Sequence, residues 1–285
     1  MKKQSRRKFF RNTSLSVASL SFLNLNVFSA NNVKTSANIN STIDIGVASY
    51  SFRKFSFEEL ISAMKLLKIK YLSLKSMHLP LDLSDEEIRT RISEIKNNGL
   101  IPYSAGVVYM KNKEEVDNAF RYSKAAGFKI IVGVPNYELL DYVEKKVKEY
   151  DIIVAIHNHG PDNISYPSPD EILTRVRNRD KRLGMCMDVA HVARAGLNPV
   201  EEIIKSKDRL YDVHLRDITE SAKAGKACRP GTGTFDLTGI NKTLKEVGYS
   251  GVYSIEYEAE ANDPSVGIAE TAGYLKGIYA TFNGL

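Results

Sequence analysis

From about residue 42 onward the chain repeats one local pattern eight times: a short run of β-branched and aliphatic residues, then a longer stretch carrying helix signals. The β-rich runs are Ile43–Ala48, Tyr71–Leu74, Ile101–Ser104, Ile130–Val134, Ile152–Ile156, Leu183–Met187, Leu210–His214 and Val252–Ile255. A helical crossover brings the chain back in the same direction, so strands joined this way pair in parallel. Parallel sheets bury both faces, and these runs read as nearly continuous apolar segments. Eight units over about 240 residues match the size of a closed (β/α)8 barrel. An open, doubly wound sheet is the competing architecture. The turn after the first strand reads Ala48-Ser-Tyr-Ser-Phe-Arg53. It lacks a glycine-rich phosphate loop, which argues against a dinucleotide fold.

The helix signals are specific. Ser56-Phe-Glu-Glu59 is a capping box, in which a serine oxygen accepts from an orphan N–H and the glutamate reaches back. Ser168-Pro, Asn198-Pro and Asp263-Pro264 put a cap before a proline at the first helical position. Gly99, Gly127 and Gly248 end helical stretches just before strands.

In a (β/α)8 barrel the chemistry sits at the C-terminal ends of the strands. The five histidines, His78, His157, His159, His191 and His214, all fall at or just beyond such ends. A single histidine there is usually structural, so the grouping carries the argument. Strand five ends His157-Asn-His159, strand six Asp188-Val-Ala-His191, strand seven His214-Leu-Arg216-Asp217, and strand eight Glu256-Tyr-Glu258. Side chains alternate along a strand, so His157 pairs with His159, His214 with Arg216, and Glu256 with Glu258 on shared faces. One donor from each of four consecutive strands, His157, Asp188, His214 and Glu256, is the expected ligand set for one divalent ion. Two imidazoles and two carboxylates suit Mn, Co, Zn or Fe better than Ca or Mg. Asp217 reads as a loop cap or a partner for Arg216.

These motifs resemble the xylose isomerase-like TIM-barrel superfamily of sugar isomerases and epimerases. The resemblance spans residues 43–280. It rests on Asp188-Val-Ala-His191, His214-Leu-Arg-Asp217, Gly231-Thr-Gly-Thr-Phe-Asp236 and Ser254-Ile-Glu-Tyr-Glu258. It implies metal-ligand roles for Asp188, His214 and Glu256, and substrate contacts for His191 and Arg216. It implies proton transfer beside a sugar carbonyl. The family pattern carries Glu at the end of strand five, where this chain has His157. One of the two carboxylates that serve opposite faces of the substrate in such epimerases is therefore replaced.

The expected chemistry is metal-assisted proton abstraction beside a carbonyl, with Glu256 or a histidine not on the metal (His157 or His191) as base. Reprotonation then gives an isomerase or epimerase. Expulsion of a β-substituent gives a lyase or dehydratase acting on a keto-sugar or 3-keto-glycoside. His159, Lys75 and His78, with Tyr50 and Arg53, are candidate contacts for sugar hydroxyls. A non-catalytic sugar- or metal-binding protein is the alternative outside enzymology.

Composition sharpens the partner classes. The net charge is +6, and residues 1–30 alone contribute Lys2, Lys3, Arg6, Arg7, Lys8 and Arg11 with no acid. The remainder is neutral, which leaves no basic footprint for nucleic acid. A multi-metal nuclease on this barrel would also need more ligands than five histidines supply. Residues 1–30 read as a signal peptide, with Ser5-Arg6-Arg7-Lys8-Phe9 resembling a twin-arginine export signal. Residues 31–41 read as a linker and 42–285 as the barrel. The expected location is the periplasm. The leader has no cysteine to carry a lipid anchor, so no stable membrane anchor is expected after its removal. Cys186 and Cys228 are too few for a disulfide framework. A small carbohydrate is the expected partner, and a homo-oligomer is left open.

Overall fold

The computed structural model describes residues 43–282. The leader and linker readings fall outside them. These described residues belong to one compact unit. Its barrel strands are β1 (Ile45–Ala48), β2 (Tyr71–Leu74), β3 (Ile101–Met110), β4 (Ile130–Pro135), β5 (Ile153–His157), β6 (Leu183–Asp188), β7 (Leu210–Leu215) and β8 (Tyr253–Ile255). They close in the order β1-β8-β7-β6-β5-β4-β3-β2, with every pairing parallel. The open doubly wound sheet is thereby excluded. All eight expected strands are present. β3 runs six residues further than its expected end, because Ala105–Met110 continue the pairing with β4.

The helices are α1 (Phe57–Leu67), α2 (Asp85–Asn97), α3 (Lys113–Ala126), α4 (Leu140–Tyr150), α5 (Pro169–Val176), α6 (Val189–Arg194), α7 (Pro199–Ser206), α8 (Leu237–Glu246) and α9 (Ser265–Phe282). Ser56 forms the expected capping box with Glu59. Ser168 and Asn198 cap α5 and α7, each followed by proline. The last helix differs slightly. It starts at Ser265, whose N–H donates to Asp263, and the Pro264 carbonyl accepts from Ile268. Pro264 therefore stands just before the helix rather than in its first turn. Gly127 closes α3 at φ 75°, a left-handed conformation that glycine takes without a Cβ clash. Among the described residues no helix is long and apolar enough to cross a membrane.

Strand alternation sorts the side chains between two environments. Val154 and Ile156 of β5, Leu183, Met185 and Met187 of β6, Val213 and Leu215 of β7, and Tyr253 and Ile255 of β8 join one large apolar core. The alternate residues point the other way, into the barrel. There Val132, Ala155 and Cys186 form a small separate cluster. Above it, on the same face, come His157, Asp188, His214 and Glu256. One irregularity decides this phase on β7. Met185 pairs with Leu210, but the next residue, Cys186, pairs with Asp212. This bulge lets Leu210 and Val213 both face the outer core while Asp212 and His214 face inward.

The loop between β7 and α8 is held by one carboxylate. Asp217 accepts from the N–H groups of Gly231 (2.8 Å), Gly233 (3.1 Å), Phe235 (3.3 Å) and Ile218 (2.8 Å). Of the two expected roles for Asp217, the structure gives it the loop cap. Asp217→Ala leaves these buried or half-buried amides without their acceptor and is expected to destabilise the fold on the order of 3 kcal/mol. Hydrogen exchange by NMR should show the Gly231 and Gly233 amides losing protection first. Unchanged protection there would contradict the assignment.

Candidate metal centre

The four donors expected from the sequence converge. His157, Asp188, His214 and Glu256 each offer a ligand atom, all four atoms lie within 4.8 Å of one another, and all four residues are buried. His157 Nε2 stands 3.1 Å from His214 Nδ1, and Glu256 Oε2 stands 3.2 Å from the same Nδ1. Asp188 Oδ2 is 3.8 Å from His157 Nε2. Each donor comes from the end of a different consecutive strand, so barrel closure alone brings them to one point.

The set fits a divalent cation on its own chemistry. Two imidazole nitrogens facing each other at 3.1 Å need a proton or a cation between them. His157 Nδ1 and His214 Nε2 are buried with no hydrogen-bond partner. Two carboxylates bring two negative charges into a buried site, and buried charge needs compensation. Burial and the neighbouring His214 hold His157 well below the usual imidazole pKa, which keeps it neutral as a ligand must be. Burial opposes ionisation of Glu256, but His214 and Arg216 outweigh it and hold the carboxyl well below its ordinary range.

Surrounding contacts fix the donors. Asp188 Oδ1 accepts from the His191 N–H at 2.9 Å and so caps α6. Asp188 Oδ2 accepts from Arg216 at 2.7 Å. Asn158 grips the Asp188 backbone from both sides: its Oδ1 accepts from Asp188 N (2.9 Å) and its Nδ2 donates to Asp188 O (3.2 Å). Arg216 also reaches Glu258 at 2.5 Å. Burial opposes the charge of Arg216, yet Asp188, Glu258 and Glu256 raise its pKa further. Arg216 donates to His191 Nε2 at 3.1 Å. A guanidinium has no acceptor, so His191 Nε2 accepts and its proton sits on Nδ1.

The remaining candidates divide. His159 stands at the mouth, with Nε2 3.0 Å from the Tyr109 hydroxyl and its ring 4.9 Å from that of His157. Burial and His191 lower its pKa to about 4. Lys75, Tyr50 and Arg53 lie together, with Lys75 Nζ and the Arg53 guanidinium each 5.2 Å from the Tyr50 ring centroid. Arg53 donates to the Glu258 carbonyl at 2.7 Å. His78 does not join them, which corrects the expectation of a sugar contact. It is buried, with Nδ1 3.1 Å from Ser49 Oγ and Nε2 3.2 Å from the Phe55 carbonyl. Both ring nitrogens are used to tie the β1 and β2 loops together.

Sequence reasoning missed Tyr109, Asn158 and the second inward layer. Tyr109 falls in the extension of β3, and its signal was the β-prone run Val107-Val-Tyr109. Below the donors, Tyr103 donates to both oxygens of Asp212 at 3.2 Å. Asp212 is pushed up to about 6, chiefly by burial.

Residues 111–278 match the family model described as xylose isomerase-like TIM barrel, and the chain belongs to this family. Over 128 residues it is 33% identical to an inosose dehydratase of Clostridium botulinum (strain Eklund 17B / Type B). That match covers 40% of this chain and 42% of the dehydratase, so the chain matches less than half the length of that relative. A solved structure of an uncharacterized protein from Parabacteroides distasonis ATCC 8503 superposes with TM-score 0.66 at 26% identity, over 82% of this chain and 98% of the other. The IOLI protein, solved with a zinc atom, superposes with TM-score 0.68 at 16% identity, over 84% of this chain and 98% of the other, a likeness of fold.

Arg216→Met should destabilise the protein by roughly 3–5 kcal/mol, because Asp188 is left buried and unpaired. Urea denaturation of metal-free protein measures it. A loss under 1 kcal/mol would show that the guanidinium does not carry the charge balance of the mouth.

Proposed function

We propose that this chain is a divalent-metal-dependent enzyme that removes a proton from the carbon beside the carbonyl of a small keto-sugar or keto-cyclitol. The observation that carries it is the convergence of four buried donors from four strand ends. His157, Asp188, His214 and Glu256 would hold the ion, with Mn, Co or Zn suiting the two nitrogens and two oxygens. When bound, the ion supplies a Lewis acid for the substrate carbonyl and a neighbouring hydroxyl.

The protein's own groups supply the rest. Arg216 keeps Asp188 and Glu258 in place and sets the His191 tautomer, which puts the ring proton on Nδ1, a buried atom without a protein partner. Tyr109 orients His159 through Nε2, and His159 Nδ1 is buried without a partner. Glu256 or His159 takes the proton from carbon. The enolate then has two fates: reprotonation, as in an isomerase or epimerase, or loss of a β-oxygen, as in a dehydratase. His157 in place of a second carboxylate favours elimination, and so does the partial likeness to an inosose dehydratase. Isomerisation is the second reading, favoured by family membership.

Purified protein should carry about one transition-metal ion per chain by mass spectrometry, and an Asp188→Ala/His214→Ala double variant should carry none. With 2-keto-myo-inositol (an inosose) or D-fructose in D2O, the metal-loaded protein should wash deuterium into the position beside the carbonyl. Metal bound with neither exchange into either probe nor a dehydrated product would favour the binding-protein alternative. No metal in either protein would end the metalloenzyme reading.

From the leader motif we further propose that this enzyme acts outside the cytoplasm. Replacing Arg6 and Arg7 by lysine should leave the protein in the cytoplasmic fraction of its native cells. Undiminished export would refute the twin-arginine route.

A further inference from the structure

Lys75 stands on the wall opposite the donor set. It directly follows β2, and three strands separate β2 from β6 in either direction around the closed barrel. β6 carries Asp188, at the middle of the donor arc from β5 to β8. The Lys75 backbone is pinned, since its N–H donates to Ser49 Oγ at 2.8 Å. Its ammonium lies 5.2 Å from the Tyr50 ring centroid and 6.0 Å from that of Tyr109. Tyr109 also holds His159, so Lys75 and the histidine cluster border the same space.

The other cations described at the mouth are engaged. Arg216 is bound to Asp188 and Glu258, and Arg53 through Nη2 to the Glu258 carbonyl, with its Nη1 left buried and unpartnered. Among the described residues no carboxylate lies within salt-bridge distance of Lys75. Burial lowers its pKa, against the pull of Glu256 and Glu258 across the mouth. Aromatic faces hold a cation without taking its proton, unlike a carboxylate partner. A half-buried ammonium in such a setting gives its proton up more readily than a lysine in water.

We propose that Lys75 is the general acid of a β-elimination, protonating the oxygen that leaves the substrate from the side opposite the donor set. This rests on the enolising reading above and selects its dehydratase branch. The electron pair of the broken C–H bond passes through the enolate into the new C=C bond. The β C–O bond breaks with its pair on oxygen, and the Lys75 proton forms the new O–H bond. Water or an alcohol departs, the carbonyl is restored, and no oxidant or reductant is needed. Lys75 is left as the neutral amine and is reprotonated from solvent.

The test compares two rates in one sample: deuterium wash-in beside the carbonyl of 2-keto-myo-inositol, and formation of its dehydrated product, both followed by NMR in D2O with Mn-loaded protein. In Lys75→Met the ratio of elimination to wash-in should fall about 100-fold or more. Lys75→Arg should fall similarly, since a guanidinium keeps its proton at neutral pH. Metal content and a thermal melt of each variant show that the site and fold persist. An unchanged ratio in Lys75→Met overturns the proposal, and so does recovery in Lys75→Arg, which would mean that charge alone suffices. Wild-type wash-in without elimination also overturns it while leaving the enolising reading intact. Absence of both wash-in and elimination in the wild type defeats both.

Discussion

The buried guanidinium of Arg216 ties together three neighbouring strands at the barrel mouth. It projects just past the end of β7, takes Asp188 from β6 on one side and Glu258 from beyond β8 on the other, and sits 4.0 Å from Glu256. Three acidic groups brought this close would repel and would resist burial. A cation between them makes their burial tolerable. A buried ion pair of this kind adds little net stability over an apolar equivalent, but removing half of it is costly, so it acts mainly on geometry. The same group fixes the His191 tautomer. Asp188 is then committed through both oxygens and through its backbone to Asn158. Donors held this way need little rearrangement when a ligand arrives, and preorganisation of that kind is what electrostatic catalysis requires.

Much of this was legible in the chain because two periodicities are simple. The alternation of β-rich and helical runs gave the closed barrel, and the two-residue repeat within strands placed His157, Asp188, His214 and Glu256 on one face. The capping residues Ser56, Ser168 and Asn198 gave their helix starts for the same reason: a local hydrogen bond decides them. His78 misled because position along a strand end does not reveal which way a loop residue turns. It folds back to Ser49 and Phe55 instead of facing the mouth. The bulge on β7 was hidden, since it exists only in the pairing with β6. Strict alternation would set Leu210 on the inner face with Asp212 and His214; the register slip frees it to join the outer core. Tyr109 and Asn158 act through partners more than 25 residues away, on other strands. No local pattern announces such contacts.

His157 and Lys75 both enter the charge balance of the mouth. The family resemblance sets a carboxylate where this chain has His157, and burial keeps that imidazole neutral. The exchange moves the charge of the mouth one unit toward positive. A further carboxylate here would add to the pull of Glu256 and Glu258 on the Lys75 ammonium and hold its proton more firmly. With imidazole instead, the ammonium is left to two aromatic faces. The same exchange weakens the case for a second carbon base and strengthens the case for an acid on the far wall. Less negative charge also favours the chemistry on offer, because both the enolate and a departing oxygen are anionic as they form. One substitution at the end of β5 and one lysine at the end of β2 thus point the same way. On the proposed reading, they suit the mouth to expelling an oxygen more than to returning a proton to carbon from either face.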